Sequence, residues 1–168
     1  SVGNEPPEIT GCVISPPTPE SGDALTAVAL GWDDPDGDPE EYDYAWEAYD
    51  ASLGAWLPVG PNVSVLPASY TNIGDEIRVE CTPFNTVPTG KDAGSPALSA
   101  SVTIGNSLPT MSSCDINPQN PTAADDLVAT PSGIFDYDGD TVTLVYQWEV
   151  NGVVLASETS DTLPVGNH

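Results

Sequence analysis

The 168-residue chain carries 26 acidic side chains against two basic ones, Arg78 and Lys91, for a formal net charge of −24. Two cations make no basic patch to displace phosphate counterions, so nucleic acid is excluded as a partner, and an anionic membrane surface would repel the chain. No apolar run approaches the roughly 20 residues of a spanning helix, and the one histidine is His168, so chemistry built on an internal histidine lacks its residue.

High charge with 18 prolines can mean disorder, but 39% hydrophobic residues, four Trp and six Tyr argue for a folded core. Helical periodicity is absent, and short Val/Ile/Leu runs alternate with Pro/Gly turns, which predicts an all-β chain. In chain order, strands are expected near 10–15, 24–31, 41–48, 55–59, 62–66, 76–83 and 96–104. A second set follows near 112–116, 126–130, 142–150, 152–156 and 159–163. Asn151-Gly152 between two apolar runs predicts a two-residue type I′ hairpin.

The second set repeats the first. With an offset of 102 and no gap, 18 of 45 positions from Gly3 to Glu47 are identical to those from Gly105 to Glu149. Matches include Cys12/Cys114, Ile14/Ile116, Leu25/Leu127, Gly31/Gly133 and Trp46/Trp148. Thr162-Leu163-Pro164 then matches Val65-Leu66-Pro67 if the first copy holds a five-residue insertion. A tandem repeat of about 100 residues and seven short strands has the size of an Ig-like β-sandwich. The expected organisation is residues 1–4 as the tail of a preceding copy, repeat 1 over 5–106, and repeat 2 over 107–168. Repeat 2 lacks counterparts of the last two strands and is expected to be an incomplete sandwich.

Three cysteines fit this arrangement. Cys12 lies on the first strand of repeat 1 and Cys81 on the sixth, which predicts a Cys12–Cys81 disulfide, while the partner of Cys114 would fall beyond His168. Closing a loop of about 70 residues stabilises a fold by roughly 4 kcal/mol on the chain-entropy model. A structural disulfide points to an oxidising, extracellular setting; the alternative is three small buried thiols.

The turn Asp34-Pro-Asp36-Gly37-Asp38 followed by Tyr44-x-Trp46 resembles the polycystic-kidney-disease-type (PKD-like) Ig repeat. The Asn-x-x-Pro opening and the Ile-x-Pro-x-x-Pro and Trp-x-x-Asn-Gly-Val segments resemble bacterial Ig-like and cadherin-like repeats of very large surface proteins. The resemblance implies tandem β-sandwiches in an extracellular stalk, an adhesin or a spacer.

Asp33, Asp34, Asp36 and Asp38 crowd one loop, and Asp136, Asp138 and Asp140 repeat it at matching spacing. Hard carboxylate oxygens packed this closely suit Ca²⁺, although position twelve of the loop is Ala45 or Gln147 rather than the Glu of an EF-hand. The alternative is a solvated turn in which each Asp caps backbone amides. Trp46 and Trp148 are expected in the core. Trp56 lies in the insertion of the first copy, and beside Tyr49 it could stack on a sugar ring as a glycan site. Asn62-Val-Ser64 is a formal glycosylation sequon. No phosphate loop, zinc spacing or nucleophile elbow is present, so no enzyme is expected. Partners are expected among neighbouring repeats, or among identical chains of a filament or sheath completed by strand exchange.

Overall fold

Apolar and polar residues alternate with period two in segments such as Glu76–Pro83, and the fold follows: the described residues form β-strands and one short 3₁₀ turn, Ala68–Tyr70, with no α-helix. The computed structural model describes residues 4–88 and 90–167. The chain divides into two units, residues 1–107 and 108–168. Residues 1–3 of the expected leading tail lie outside the described residues, whereas Asn4 bonds within unit 1.

Unit 1 contains β1 (Gly11–Ser15), β2 (Leu25–Leu30), β3 (Glu41–Asp50), β4 (Ala55–Pro58), β5 (Val65–Leu66), β6 (Glu76–Val87), β7 (Gly90–Ala93), β8 (Ala97–Leu98) and β9 (Val102–Thr103). One antiparallel sheet has the order β1-β2-β5, the other β4-β3-β6-β7, with β8 and β9 also pairing β6. The core lies between them. Cys12, Ile14, Leu25 and Ala27 from the first sheet meet Trp46, Ile77, Val79 and Cys81 from the second. The Cys12–Cys81 disulfide joins the two sheets across this core, as the spacing predicted. Two facing antiparallel sheets are compatible with a β-sandwich.

The strand expected over 96–104 is interrupted. Ser99 is buried, its N–H donates to the Val79 carbonyl at 2.9 Å, and its Oγ accepts the Val79 N–H at 3.0 Å. A hydroxyl thus takes the amide that a ladder carbonyl would receive, leaving β8 and β9 on either side. β6 also runs four residues past the expected end at Cys81-Thr-Pro83, and hairpins into β7, which carries Lys91.

Unit 2 contains β10 (Ser113–Asn117), β11 (Leu127–Ser132), β12 (Trp148–Val150), β13 (Val153–Leu155) and β14 (Thr162–Leu163). Its sheet β10-β11-β14 reproduces β1-β2-β5: Gly11 pairs Leu30 and Ser113 pairs Ser132, both pairs 102 apart. Leu25 opposes Leu66, and Leu127 opposes Leu163, which carries the five-residue insertion into the structure. Trp46 Nε1 donates to the Val63 carbonyl and Trp148 Nε1 to the Ser160 carbonyl, each at 2.9 Å. Both indoles are buried, as expected for core positions. Asn151 and Gly152 have φ of 50° and 82° and join β12 to β13, the backbone that a type I′ turn requires. The strand expected over 142–150 is formed over 148–150 alone, because only there does β13 supply a partner.

Candidate functional site

The acidic loop of unit 1 connects β2 to β3. Asp34 Oδ1 accepts the backbone amides of Asp36 at 2.9 Å and Asp38 at 3.1 Å, and the Gly37 amide donates to the Asp34 carbonyl at 3.2 Å. Gly37 sits at φ 76°, where a side chain would be strained. These bonds to the ionised form, the Asp38 amide foremost, hold the Asp34 carboxyl below its ordinary value. Asp36 Oδ2 accepts the Glu5 amide at 2.7 Å. Asp33 contributes its backbone, exchanging amide and carbonyl with Glu8.

Asn85, on β6 and 1% exposed, reaches into this loop. Its Nδ2 lies 3.2 Å from both Asp34 Oδ2 and Asp38 Oδ2 and 3.3 Å from the Glu5 carbonyl. Its Oδ1 accepts Asn4 Nδ2 at 3.1 Å, and Asn4 also donates to Asp92. Sequence reasoning missed Asn85, Asn4 and Asp92. A signal existed for the first: Ile77, Val79, Cys81 and Pro83 form an inward series, and Asn85 is its next member.

Unit 2 repeats the turn. Asp136 Oδ1 accepts the amides of Asp138 at 2.9 Å and Asp140 at 3.0 Å, with the Gly139 amide on the Asp136 carbonyl. The two loops therefore first do what short Asp-Gly segments do in general, capping their own backbone. Among the described residues, no three His, Cys, Asp or Glu side chains come together as a group that could hold a metal ion. Between Asp34 and Asp38 stands an N–H donor rather than a third oxygen.

Trp56 and Tyr49 face each other across the β3–β4 ladder, their ring centroids 5.4 Å apart. The Arg78 guanidinium lies 4.1 Å from the Trp56 ring centre, and its Nε donates to Glu47 Oε2 at 2.7 Å. A cation thus covers one indole face in a partly exposed cation–π contact. Lys91 bonds Asp43 at 2.7 Å and lies over the Phe84 ring. Asn62, the sequon residue, accepts the Tyr44 amide and donates to Asp43, so both ends of its side-chain amide are engaged. Cys114 is a free, exposed thiol.

No family model matches the chain, and no curated protein matches it.

Proposed function

We propose that the chain is a segment of tandem Ig-like structural repeats from a large extracellular or cell-surface bacterial protein, serving as an adhesin stalk or spacer. The observation that supports this reading most is the repeat itself. Eighteen of 45 matched positions are identical, the β1–β2 register and the Asp turn recur at an offset of 102, and the indole hydrogen bond recurs once the five-residue insertion is allowed for. Repetition of one unit is what an array of spacers needs and what a single catalytic centre does not. The buried disulfide suits an oxidising compartment, and no helix among the described residues is long and apolar enough to cross a membrane. Strong acidity favours solubility and discourages self-association of such an array.

Calcium belongs to the reading as a proposal. The carboxylates of Asp34, Asp36 and Asp38 recur at Asp136, Asp138 and Asp140, and a bound cation would offset their mutual repulsion. Electron microscopy of the native parent material tests the function. Thin rods tethered to cells are the expected image. Isolated globular particles would overturn the stalk, and binding of polysaccharide through Trp56 and Tyr49 would point to a glycan module instead.

A further inference from the structure

Three side chains from separate parts of unit 1 meet beside β3, and each can take part in making or breaking an amide. Lys91, the one lysine of the chain, places Nζ 2.7 Å from both carboxylate oxygens of Asp43. Asn62, between β4 and β5, donates from Nδ2 to Asp43 Oδ1 at 2.9 Å. Asp43 Oδ1 thus holds an amine nitrogen and a carboxamide nitrogen at once. The other end of the carboxamide is engaged as well, since Asn62 Oδ1 accepts the Tyr44 backbone N–H at 2.6 Å. Lys91 Nζ also lies 3.7 Å from the centre of the Phe84 ring, a buried side chain.

The fold does not require this cluster. At the matched positions unit 2 carries Val145 in place of Asp43 and Thr159 in place of Asn62. A salt bridge whose partners are 51% and 38% exposed adds little stability in water, and an ion pair by itself does not call for the asparagine. The arrangement does fit acyl transfer. It holds a nucleophile, a base that touches both the nucleophile and the leaving nitrogen, and an N–H aimed at the oxygen where charge develops. The acyl donor is Asn62 rather than Asp43, because the Lys91 contact holds the Asp43 carboxyl in its ionised, unreactive form.

We propose that Lys91 and Asn62 join through an amide between their side chains, with Asp43 carrying the proton. Lys91 gives a proton to Asp43, and its free amine attacks Asn62 Cγ. The new N–C bond forms as the carbonyl electron pair moves onto Oδ1, where the Tyr44 N–H meets the charge. Asp43 then protonates Nδ2. The Cγ–Nδ2 bond breaks with its electron pair on the nitrogen, the carbonyl reforms and ammonia leaves. The nitrogen that stays sheds its second proton to water, so one ammonium and one carboxamide become a secondary amide and one ammonium ion. No oxidant or cofactor enters the step. The Lys91–Asp43 ion pair is the state before the bond. Only the free amine attacks, so the bond forms slowly at neutral pH and faster in alkaline buffer.

The test incubates the full chain in mildly alkaline buffer and follows its intact mass. Loss of one ammonia is expected; deamidation, which puts water back, gives a different mass. Arg78 and Lys91 are the two trypsin sites of the chain, and Arg78 falls between Asn62 and Lys91. After reduction, denaturation and digestion, the linked chain should be uncut at Lys91, and the pieces on either side of Arg78 should stay joined. Lys91→Arg keeps a cation beside Asp43 and should keep its full mass. Asp43→Asn keeps the shape but cannot carry the proton, so loss of ammonia should slow at least about a hundredfold. An unchanged mass in the parent would overturn the proposal, as would pieces that separate at Arg78. So would loss of water, which would put the bond on Asp43, or loss of ammonia that persists in Lys91→Arg, which would mark a succinimide. An Asp43→Asn chain that links as fast as the parent would overturn the proton relay.

Discussion

Asn85 Nδ2 stands 3.2 Å from Asp34 Oδ2. The pair ties the inward face of β6 to the tip of the β2–β3 loop, and Asp38 shares the same donor. Replacing Asn85 by leucine keeps much of the volume but leaves two carboxylates and the Glu5 carbonyl without this partner. A loss of about 1–3 kcal/mol is expected, the usual cost of orphaned polar groups. Chemical denaturation of the full chain, followed by the fluorescence of Trp46, measures it. A variant as stable as the parent would mean that water replaces the amide at no cost.

Calcium is tested by thermal melting of the full chain. With the weak affinity of extracellular modules, on the order of 10⁻⁴–10⁻³ M, ~10 mM calcium would add about 1.4–2.7 kcal/mol. The melting temperature should therefore rise with calcium and return with chelator. The shift should shrink when Asp34→Asn and Asp136→Asn are combined. An unchanged melting temperature would remove calcium from the proposed function and leave the Asp turns as capping devices.

The disulfide closes a sequence separation of 69 residues and links two sheets. The double variant Cys12→Ala with Cys81→Ala is expected to lose about 3–5 kcal/mol, mainly through a freer unfolded chain. Reduction of the parent should reproduce the loss. Unit 2, which has no such link, should melt at the same temperature in both forms.

Asp43 provides a pH test. Hydrogen bonding to the Lys91 ammonium, then to Asn62, holds its carboxyl below the ordinary carboxylate value. The folded state therefore binds fewer protons than the unfolded one near pH 4. The stabilisation is complete above the unfolded value of about 3.9 and disappears as pH falls through the folded value. Both partners are substantially exposed, so the contribution stays under about 1 kcal/mol. Asp43→Asn should thus lower the melting temperature slightly at neutral pH, with the gap to the parent closing on acidification. Comparing the two proteins cancels the general relief of self-repulsion that protonation of the other carboxylates brings.

Much of the fold was legible because it repeats. Read without the repeat, three cysteines are ambiguous, whereas the offset of 102 equates Cys114 with Cys12 and leaves Cys81 as the partner of Cys12. Trp46, Trp148 and the Asn151-Gly152 hairpin were legible from local chemistry alone. The break at Ser99 was not, because a serine hydroxyl replacing a ladder carbonyl leaves no periodic trace. The irregular backbone over 142–147 was not either: Val142, Leu144 and Tyr146 alternate like a strand, but among the described residues no strand pairs with them. Asp34, Asp36 and Asp38 were found by their charge. The side-chain partner that Asp34 and Asp38 share is an uncharged asparagine 47 residues beyond Asp38, which a search for acids passes over.

The link between Cys12 and Cys81 also limits how far unit 1 can be stretched. A pulled chain lengthens by up to ~3.5 Å for each residue that unravels. Inside the disulfide-closed loop, a separation of 69 residues would amount to roughly 240 Å of slack. Force passes through the sulfur bridge instead, so that slack stays locked while the cysteines are oxidised. Reduction would release it in one step. In an array, the state of this one bond decides whether an overloaded module yields by a short, recoverable distance or pays out most of its length.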